Sequence, residues 1–347
     1  MVTIELKRAR LVIYCRNLKF EWTIDPRYWR NPLIGVLILM LALLSCYFFK
    51  NLRFLQLFAI ANVYAAIAIC LSWSAIGSGR LNFGPQFFIA LGGFTAGLLN
   101  MRYGFDIFGT LAGAILITLA VGFLLSPLTI ISGGLYYSLT TLIIPLILLQ
   151  ITYVRVDIFG GESGIGPIAP LVNVGDYYLN QLITGMFSLV LLLAYLLIVD
   201  RIFKSRYGVI MGAINEDEEV AASLGVRINA YKIVSAAIPA AMLGITGWFF
   251  AHSFRTFAGT TYLPLDVMLK ILLITMIGGR ASIYGSVLGA YFVTLIEDFL
   301  RQFGQINYVL FPLTLLLCLL FLSEGLWGLY RKRKYREYYP AIRIRRR

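Results

Sequence analysis

Ten apolar runs, most of them long enough to cross a lipid bilayer, limit how this chain can fold. A membrane-crossing helix needs about 20 mostly apolar residues, and inside lipid the backbone must satisfy its own hydrogen bonds, which favours helices. Hydrophobic residues make up 59% of the 347, and only 14% are charged. We therefore predict an all-α fold, a polytopic transmembrane helical bundle of about ten crossings. The predicted crossings are residues 33–49, 54–77, 83–100, 108–125, 133–151, 179–199, 232–252, 262–279, 283–300 and 306–329.

The distribution of basic residues predicts which ends of these crossings face the cytoplasm. If the N-terminus is inside, 23 Lys and Arg residues fall on the inner side and six on the outer side, with Lys270 left within a crossing. Cytoplasmic loops carry an excess of Lys and Arg, so both termini are predicted to be cytoplasmic. The net charge is +13, and the Lys and Arg residues cluster in the two tails and one central loop, which is typical of contact with anionic lipid headgroups rather than nucleic acid.

Three parts of the chain follow from this pattern. Residues 1–32 are basic and aromatic, and we predict that they lie at the cytoplasmic interface with rings such as Trp22 and Trp29 at headgroup depth. Residues 33–330 form the predicted transmembrane domain. Residues 331–347 form a basic cytoplasmic tail that is predicted to bind anionic lipid.

The one long polar interruption runs from Asp200 to Lys232, and residues 200–231 form the predicted cytoplasmic loop. Four consecutive acidic residues, 216–219, precede a run of small residues that ends at Gly225, which suits the left-handed position after a helix C-terminus. We predict one short surface helix that is presented to a partner. The alternative is a solvated helix whose acidic residues only favour its N-terminal half.

Polar residues near or within the crossings are candidates for a solute path. Asn82 and Gln86 flank Pro85, where they either line the path or cap the following helix. Asp266 and Lys270 are spaced i, i+4 and can pair on one helix face. They form either a polar gate or an interfacial pair in which Lys270 reaches up to a solvated Asp266.

Two further acidic residues, Glu297 and Asp298, lie near an outer helix end and precede Arg301. This arrangement is typical of an interfacial cluster. An ion- or proton-coupled secondary carrier would instead place these two residues, with Asp266 and Lys270, deep in the bundle.

Small residues at close spacing predict tight helix packing, because lipid gives apolar side chains no reason to associate. The glycines concerned are Gly93, Gly97, Gly278, Gly279, Gly285 and Gly289. The four cysteines are scattered and predict neither a metal site nor a disulfide framework. The single histidine, His252, follows a crossing and is predicted to be interfacial rather than catalytic.

The chain resembles the permease family of branched-chain amino acid ABC importers, whose members also carry urea and short amides. Five segments carry the resemblance in order, and the fourth, from the central loop (205–226), is the most specific. They are LNFGPQFFIALGGFTAGLL (81–99), GLYYSLTTL (134–142), FGGESGIGPI (159–168), SRYGVIMGAINEDEEVAASLGV (205–226) and MIGGRASIYGSVLGAYFV (276–293).

The resemblance implies the permease subunit of an importer in an inner membrane, with a type II importer fold. The central helix would be a coupling helix that docks on an ATPase, through Arg206, Gly208, Ile214, Glu216, Asp217, Glu218, Ala221, Ala222 and Gly225. Implied partners are a second permease subunit, two ATP-hydrolysing subunits and an extracytoplasmic solute-binding protein. The chain has no G-x-x-x-x-G-K-[ST] motif, so ATP and Mg²⁺ would be held by the partners. No catalytic, cofactor-binding or metal-binding residue is expected here.

Overall fold

Most of the described chain is helical. The computed structural model describes residues 2–7, 10–15, 18–23, 52–279, 282–321 and 325–326. A 3-10 helix at Arg301–Ile306 separates the last two α-helices. The α-helices are α1 (Leu52–Ser78), α2 (Pro85–Tyr103), α3 (Ile107–Leu125), α4 (Leu128–Ile131), α5 (Gly134–Val154), α6 (Val156–Phe159), α7 (Tyr177–Lys204), α8 (Arg206–Glu216), α9 (Glu218–Ser223), α10 (Ile228–Phe254), α11 (Gly259–Tyr262), α12 (Leu265–Gly278), α13 (Ile283–Leu300) and α14 (Asn307–Phe321).

Seven helical segments in the described part are long and apolar enough to cross a membrane, so this is a multi-pass membrane protein. They are Leu52–Ile76, Ile107–Ile131, Gly134–Val154, Tyr177–Lys204, Ile228–Phe254, Gly259–Gly278 and Ile283–Ile306. The prediction of a polytopic helical bundle is thereby confirmed.

The count of ten crossings stays a prediction. The predicted crossing at 83–100 is α2, which is less apolar because it carries Gln86, Asn100 and Arg102. The last predicted crossing coincides with α14, whose apolar part is short, Val309–Cys318. The first predicted crossing, 33–49, and the tail at 331–347 lie outside the described residues.

A small antiparallel sheet lies near the N-terminus and was not predicted. Strands β1 (Val2–Lys7), β2 (Arg10–Cys15) and β3 (Leu18–Thr23) pair in the order β1-β2-β3. The sequence of β3 alternates apolar and polar residues, as a strand does when its two faces differ. Sequence analysis assigned residues 1–32 to the membrane interface without specifying a secondary structure, and that location stays a prediction.

Helices α1 and α10 form the centre of the bundle. Along α1, Ala65, Ala68 and Cys70 are fully buried. Helix α10 crosses α2 where glycines meet: a Cβ atom added to Gly92 would lie 2.2 Å from the Gly244 carbonyl oxygen. Backbones can approach this closely only where the residues lack side chains. The glycines at this crossing therefore allow the short distance between α2 and α10.

The predicted small-residue contacts are partly corrected. The backbones of α12 and α13 meet at Gly278, Gly285 and Gly289; a Cβ on Gly278 would lie 2.2 Å from the Gly285 carbonyl oxygen. In α2, Gly93 lies at the backbone crossing with α10, since a Cβ on Gly247 would lie 2.7 Å from the Gly93 nitrogen. Gly97, in contrast, makes room for the side chain of Ile165. The difference follows from position, because Gly97 lies further along α2, towards the end that residues 160–171 cover.

Candidate functional site

The polar loop between α7 and α10 forms two short helices rather than the single helix predicted. Helix α8 ends at Glu216 and α9 begins at Glu218. Asp217, between them, has an extended backbone, and its carboxylate accepts hydrogen bonds from the amides of Glu219 and Val220, both at 3.0 Å. Aspartate at this N-cap position satisfies amides that have no partner within the helix. One acidic residue therefore divides the segment in two.

Gly225 ends α9 as the sequence predicted. Its φ is +81°, in the left-handed region, where glycine carries no steric penalty. The Gly225 amide donates to the Ala222 carbonyl at 2.9 Å, and the Val226 amide donates to the Ala221 carbonyl at 3.3 Å. These two bonds are those of a Schellman motif. Both ends of α9 are thus capped by residues of the same loop.

One face of α8 and α9 packs against the bundle while the other is exposed. Met211 and Ile214 of α8 and Ala221 of α9 are buried. Gly208 lets α8 turn back over α7, since a Cβ there would lie 2.2 Å from the Phe203 carbonyl oxygen. Of the other predicted coupling residues, Arg206, Glu216 and Ala222 are exposed along with Asp217 and Glu218.

The exposed face combines acidic and apolar groups. Val220 and Leu224 of α9 are 54% and 79% exposed, and Glu216 and Glu219 lie beside them in the sequence and are exposed. Apolar side chains rimmed by charges are typical of a surface that contacts another protein. We call this the α9 face, defined by Glu216, Glu219, Val220 and Leu224.

Glu218 turns inward instead. Its carboxylate forms an ion pair with Lys232 of α10, whose side chain is only 2% exposed. Its other oxygen lies 3.7 Å from an Arg80 nitrogen, between α1 and α2. A buried ammonium requires such a partner. Because the Glu218 side chain remains 44% exposed, its predicted contact with an ATPase stays a prediction.

Arg80 links three segments. Besides Glu218, its guanidinium donates to the carbonyls of Thr129 and Ser132, in and just after α4. A Cβ on the neighbouring Gly79, whose φ is +66°, would lie 2.2 Å from the side-chain oxygen of Asn215 in α8. Movement of α8 and α9 would therefore reach the starts of α2 and α10 directly.

A phenol ties α8 to α10 as well. The Tyr207 hydroxyl donates to the Tyr231 carbonyl at 2.9 Å, and the two rings stack with their centroids 5.0 Å apart. Burial raises the pKa of the Tyr207 phenol, so it stays a neutral donor.

Asn82 and Gln86 occupy different surroundings at the start of α2. Asn82 accepts a hydrogen bond from the Gly84 amide at 2.8 Å, and it also lines a small cavity with Thr129, Tyr137 and Thr141. The cap alternative is not observed, because the N-cap residue of α2 is Gly84 and no side chain caps that helix end; the path alternative stays a prediction. Gln86 is 1% exposed, and neither atom of its carboxamide has a partner among the described residues.

Asp266 and Lys270 do not form the pair that their spacing suggested. Lys270 pairs with Glu297 of α13 and lies 3.9 Å above the ring of Tyr64 in α1. Asp266 is exposed in the first turn of α12. The physical reason is that a carboxylate on a packed neighbouring helix competes with one on the same helix and is better shielded from water.

The two acidic residues near the end of α13 are also paired with arginines. Glu297 accepts from Arg301 at 3.0 Å, and Asp298 pairs with Arg53 of α1 at 3.0 Å. Asp298 and its partner lie where α1 begins and α13 ends. Such a cluster joins helix ends, as the interfacial interpretation expected, rather than forming a relay through the bundle.

The segment 160–171 packs over the same end of the bundle. Ile165 and Phe257 exchange two backbone hydrogen bonds of 2.9 Å, and a 2.9 Å bond joins the Ala169 amide to Asn100 of α2. At the neighbouring Asp157, a hydrogen bond from Arg155 lowers the pKa of the carboxyl group. The segment 160–171 is thus held at several points.

His252 is a structural residue that sequence analysis placed only approximately. It is fully buried, with Nδ1 2.7 Å from the Ala169 carbonyl and Nε2 2.9 Å from the Thr110 hydroxyl. Because a carbonyl only accepts, Nδ1 carries the proton. Trp248 also donates to Thr110, at 3.1 Å. Nothing in the sequence near His252 indicates these partners, which come from a loop and another helix.

The fold and this site together define a class: multi-pass helical membrane proteins that hold a preformed helix pair at one end of the bundle. The family model described as branched-chain amino acid transport system / permease component matches residues 53–321. The chain belongs to this family.

Curated relatives are similar over most of the chain. The high-affinity branched-chain amino acid transport system permease protein LivM of Escherichia coli (strain K12) is 25% identical, over 87% of this chain and 76% of the relative. LivM of Salmonella typhimurium, with the same description, is 25% identical over 72% of this chain, which spans 64% of that relative. The probable branched-chain amino acid transport permease protein LivM of Methanocaldococcus jannaschii is 22% identical, over 63% of this chain and 68% of the relative. No solved structure matches the chain significantly.

Proposed function

We propose that this chain is the membrane-spanning permease subunit of an ABC importer for branched-chain amino acids or a related small amino acid, amide or urea. The observation that carries the proposal is the α9 face, which is exposed, acidic and apolar, and is supported on a helix pair tied to the bundle. Family membership and the three LivM relatives support the solute class.

The proposed importer needs partners to supply energy and solute. Two ATP-binding cassette subunits, holding ATP and Mg²⁺, dock on the α9 face, and a second permease subunit, related or identical, completes the pore. An extracytoplasmic solute-binding protein delivers solute at the end covered by residues 160–171. Both termini are cytoplasmic, in an inner membrane, and the basic tails contact lipid.

The mechanism is alternating access. When the ATPases close, the helix pair α8–α9 moves, and the contacts of Glu218, Arg80 and Tyr207 carry that movement to the starts of α2 and α10. Asn82 and Gln86 lie at the start of α2 and are the proposed path residues at this end. No bond of the solute is changed, so no catalytic residue is required.

The ion- or proton-coupled carrier is less well supported. It needs Asp266, Lys270, Glu297 and Asp298 deep in the bundle and free to exchange ions or protons, whereas Asp266 is exposed and the other three are held in ion pairs.

A double substitution tests the docking proposal. Val220→Glu with Leu224→Glu puts charge on the apolar part of the α9 face, so we expect loss of ATPase co-purification and of ATP-dependent leucine uptake in proteoliposomes. Val174→Glu is the matched control, because Val174 is 53% exposed in a loop at the opposite end. If the double variant retains its ATPase and its uptake, the α9 face is not the docking surface.

A further inference from the structure

A cavity of about 390 Å³ lies between α1, α7, α10 and residues 170–173. Its volume falls within the roughly 300–1,000 Å³ typical of small-molecule sites. The exposed residues on its rim include Gln56, Asn173 and Arg255, so it opens to the end that residues 160–171 cover. None of the four predicted path residues lines it.

Two helix faces form its walls, each with the spacing i, i+3, i+4, i+7. From α1 they are Gln56, Ala59, Ile60 and Val63; from α7 they are Tyr177, Asn180, Gln181 and Thr184. The α7 face is polar over the first two turns of a membrane-crossing helix. A face turned to lipid would be apolar, because hydrocarbon offers polar side chains no partner. The cavity therefore suits water or a polar ligand.

Arg255 gives the cavity a positive charge. It is the one non-glycine residue with a positive φ, +62°, in the described part of the chain. Its backbone is held there at the end of α10, and its carbonyl accepts from the Ile168 amide at 2.8 Å. No carboxylate of the described residues forms an ion pair with it, and none lines the cavity. Backbone conformations of this kind recur at ligand sites.

Helix α10 supplies an apolar wall and a hydroxyl group to the cavity. Phe249, Phe250 and Phe254 supply an apolar wall. The Ser253 hydroxyl is buried and has no hydrogen-bond partner among the described residues. A buried polar group without a partner is costly, so a ligand or water is expected beside it.

We propose that this cavity binds an aliphatic amino acid on the outer side, before translocation. The Arg255 guanidinium binds the carboxylate, oxygens of Gln181 and Thr184 accept from the ammonium group, and the phenylalanines contact the side chain. With one cation and no anion in its lining, the site favours a zwitterion over a cationic solute. The role as a receiving site rests on the proposed import function.

Photo-crosslinking of the full transporter in lipid nanodiscs tests the site. The probe is a leucine analogue with a diazirine in its side chain, followed by peptide mapping. We expect labelling within Tyr177–Thr184 or Phe249–Arg255, suppressed by excess leucine but not by leucinol, which lacks the carboxylate. Labelling confined to the cavity near Asn82 and Thr141, or equal suppression by leucinol, would overturn the proposal.

Arg255→Gly is the decisive variant, because glycine adopts a φ of +62° without strain. Hydrogen bonds to a charged group contribute about 1.5–3 kcal/mol, so labelling should require roughly ten- to a hundredfold more probe. Arg255→Lys should fall between the two. Arg155→Gly, which removes a positive charge at the same end but outside the cavity, should label like wild type. Unchanged labelling of Arg255→Gly would also overturn the proposal.

Measurement of leucine uptake distinguishes a failure of this inference from a failure of the proposed function. If wild type shows ATP-dependent leucine uptake while Arg255→Gly labels and transports normally, the chain is an importer subunit and the cavity is not its receiving site. If no ATP-dependent uptake of any aliphatic amino acid occurs, and wild type is not labelled, both proposals fail.

Discussion

Lys232 shows how one buried charge can position a surface helix. Its side chain is 2% exposed, while its partner Glu218 is 44% exposed. A buried ammonium group needs a charged partner, so Lys232 holds the carboxylate close to the start of α10. Because Glu218 is the first residue of α9, the helix is held at its N-terminal end.

Glu218→Gln should destabilise the protein and uncouple it. The buried ammonium loses its charged partner, which should lower the free energy of unfolding by about 1–3 kcal/mol. We expect a lower Tm in detergent, and an ATPase that still binds but no longer drives uptake. Thermal unfolding and the ratio of uptake to ATP hydrolysis are the measurements.

Two further variants distinguish the loss of the Glu218–Lys232 ion pair from the loss of one negative charge. Glu219→Gln removes an equally negative, exposed neighbour and should leave Tm unchanged. Adding Lys232→Met to Glu218→Gln removes the buried charge, so stability should recover, because an apolar group often replaces a buried ion at little loss. If the double variant is no more stable than Glu218→Gln, the pair does not explain the effect.

At the scale of helices, close crossings depend on individual glycines. Gly92→Ala should destabilise the crossing of α2 and α10, because the added methyl group would lie 2.2 Å from a backbone oxygen that cannot move alone. Overpacking of this kind costs about 1–3 kcal/mol. Tm of the purified protein is the measurement.

Gly212→Ala in α8 is the matched substitution. No atom lies within 4 Å of a Cβ built at Gly212, and alanine favours helix more than glycine does by about 1 kcal/mol. We expect Tm to be unchanged or to rise. A loss equal to that of Gly92→Ala would mean that helix crowding is not the cause.

The positions of most helices were predictable from the sequence, whereas the partners of several buried polar side chains were not. The lengths of the apolar runs predicted α1, α3, α5, α7, α10, α12 and α13, because the ability of a segment to cross a bilayer depends on its own length and composition. The turn at Gly225 was also predictable, because its backbone requirement is local. The partners of Lys270 and His252 were not, because Glu297 and Ala169 approach them only through the packing of other segments.

At the scale of the whole molecule, two groups of polar contacts lie at opposite ends of the bundle. Glu218, Arg80 and Thr129 meet at one end, and Asn100, Ala169 and His252 meet at the other. Helices α2 and α10 each run from the first group to the second. This arrangement matches the alternation of crossings from which the cytoplasmic side was predicted.

The predicted orientation can be tested with single cysteines. Glu216→Cys should react with a membrane-impermeant maleimide only in inverted vesicles, and Val174→Cys only in intact cells, because both residues are exposed at opposite ends. The unsubstituted chain gives the background. Reaction of both positions from one side would contradict the predicted topology.

The capped ends of α9 bear on how a complex would assemble. Asp217 and Gly225 fix the helix with bonds made inside this chain, so its shape does not wait for another protein. Association with a preformed surface loses less conformational entropy than association that must first order a segment. In the importer proposed above, the permease would therefore remain ready for docking, and could release one ATPase and accept another without refolding the segment in between.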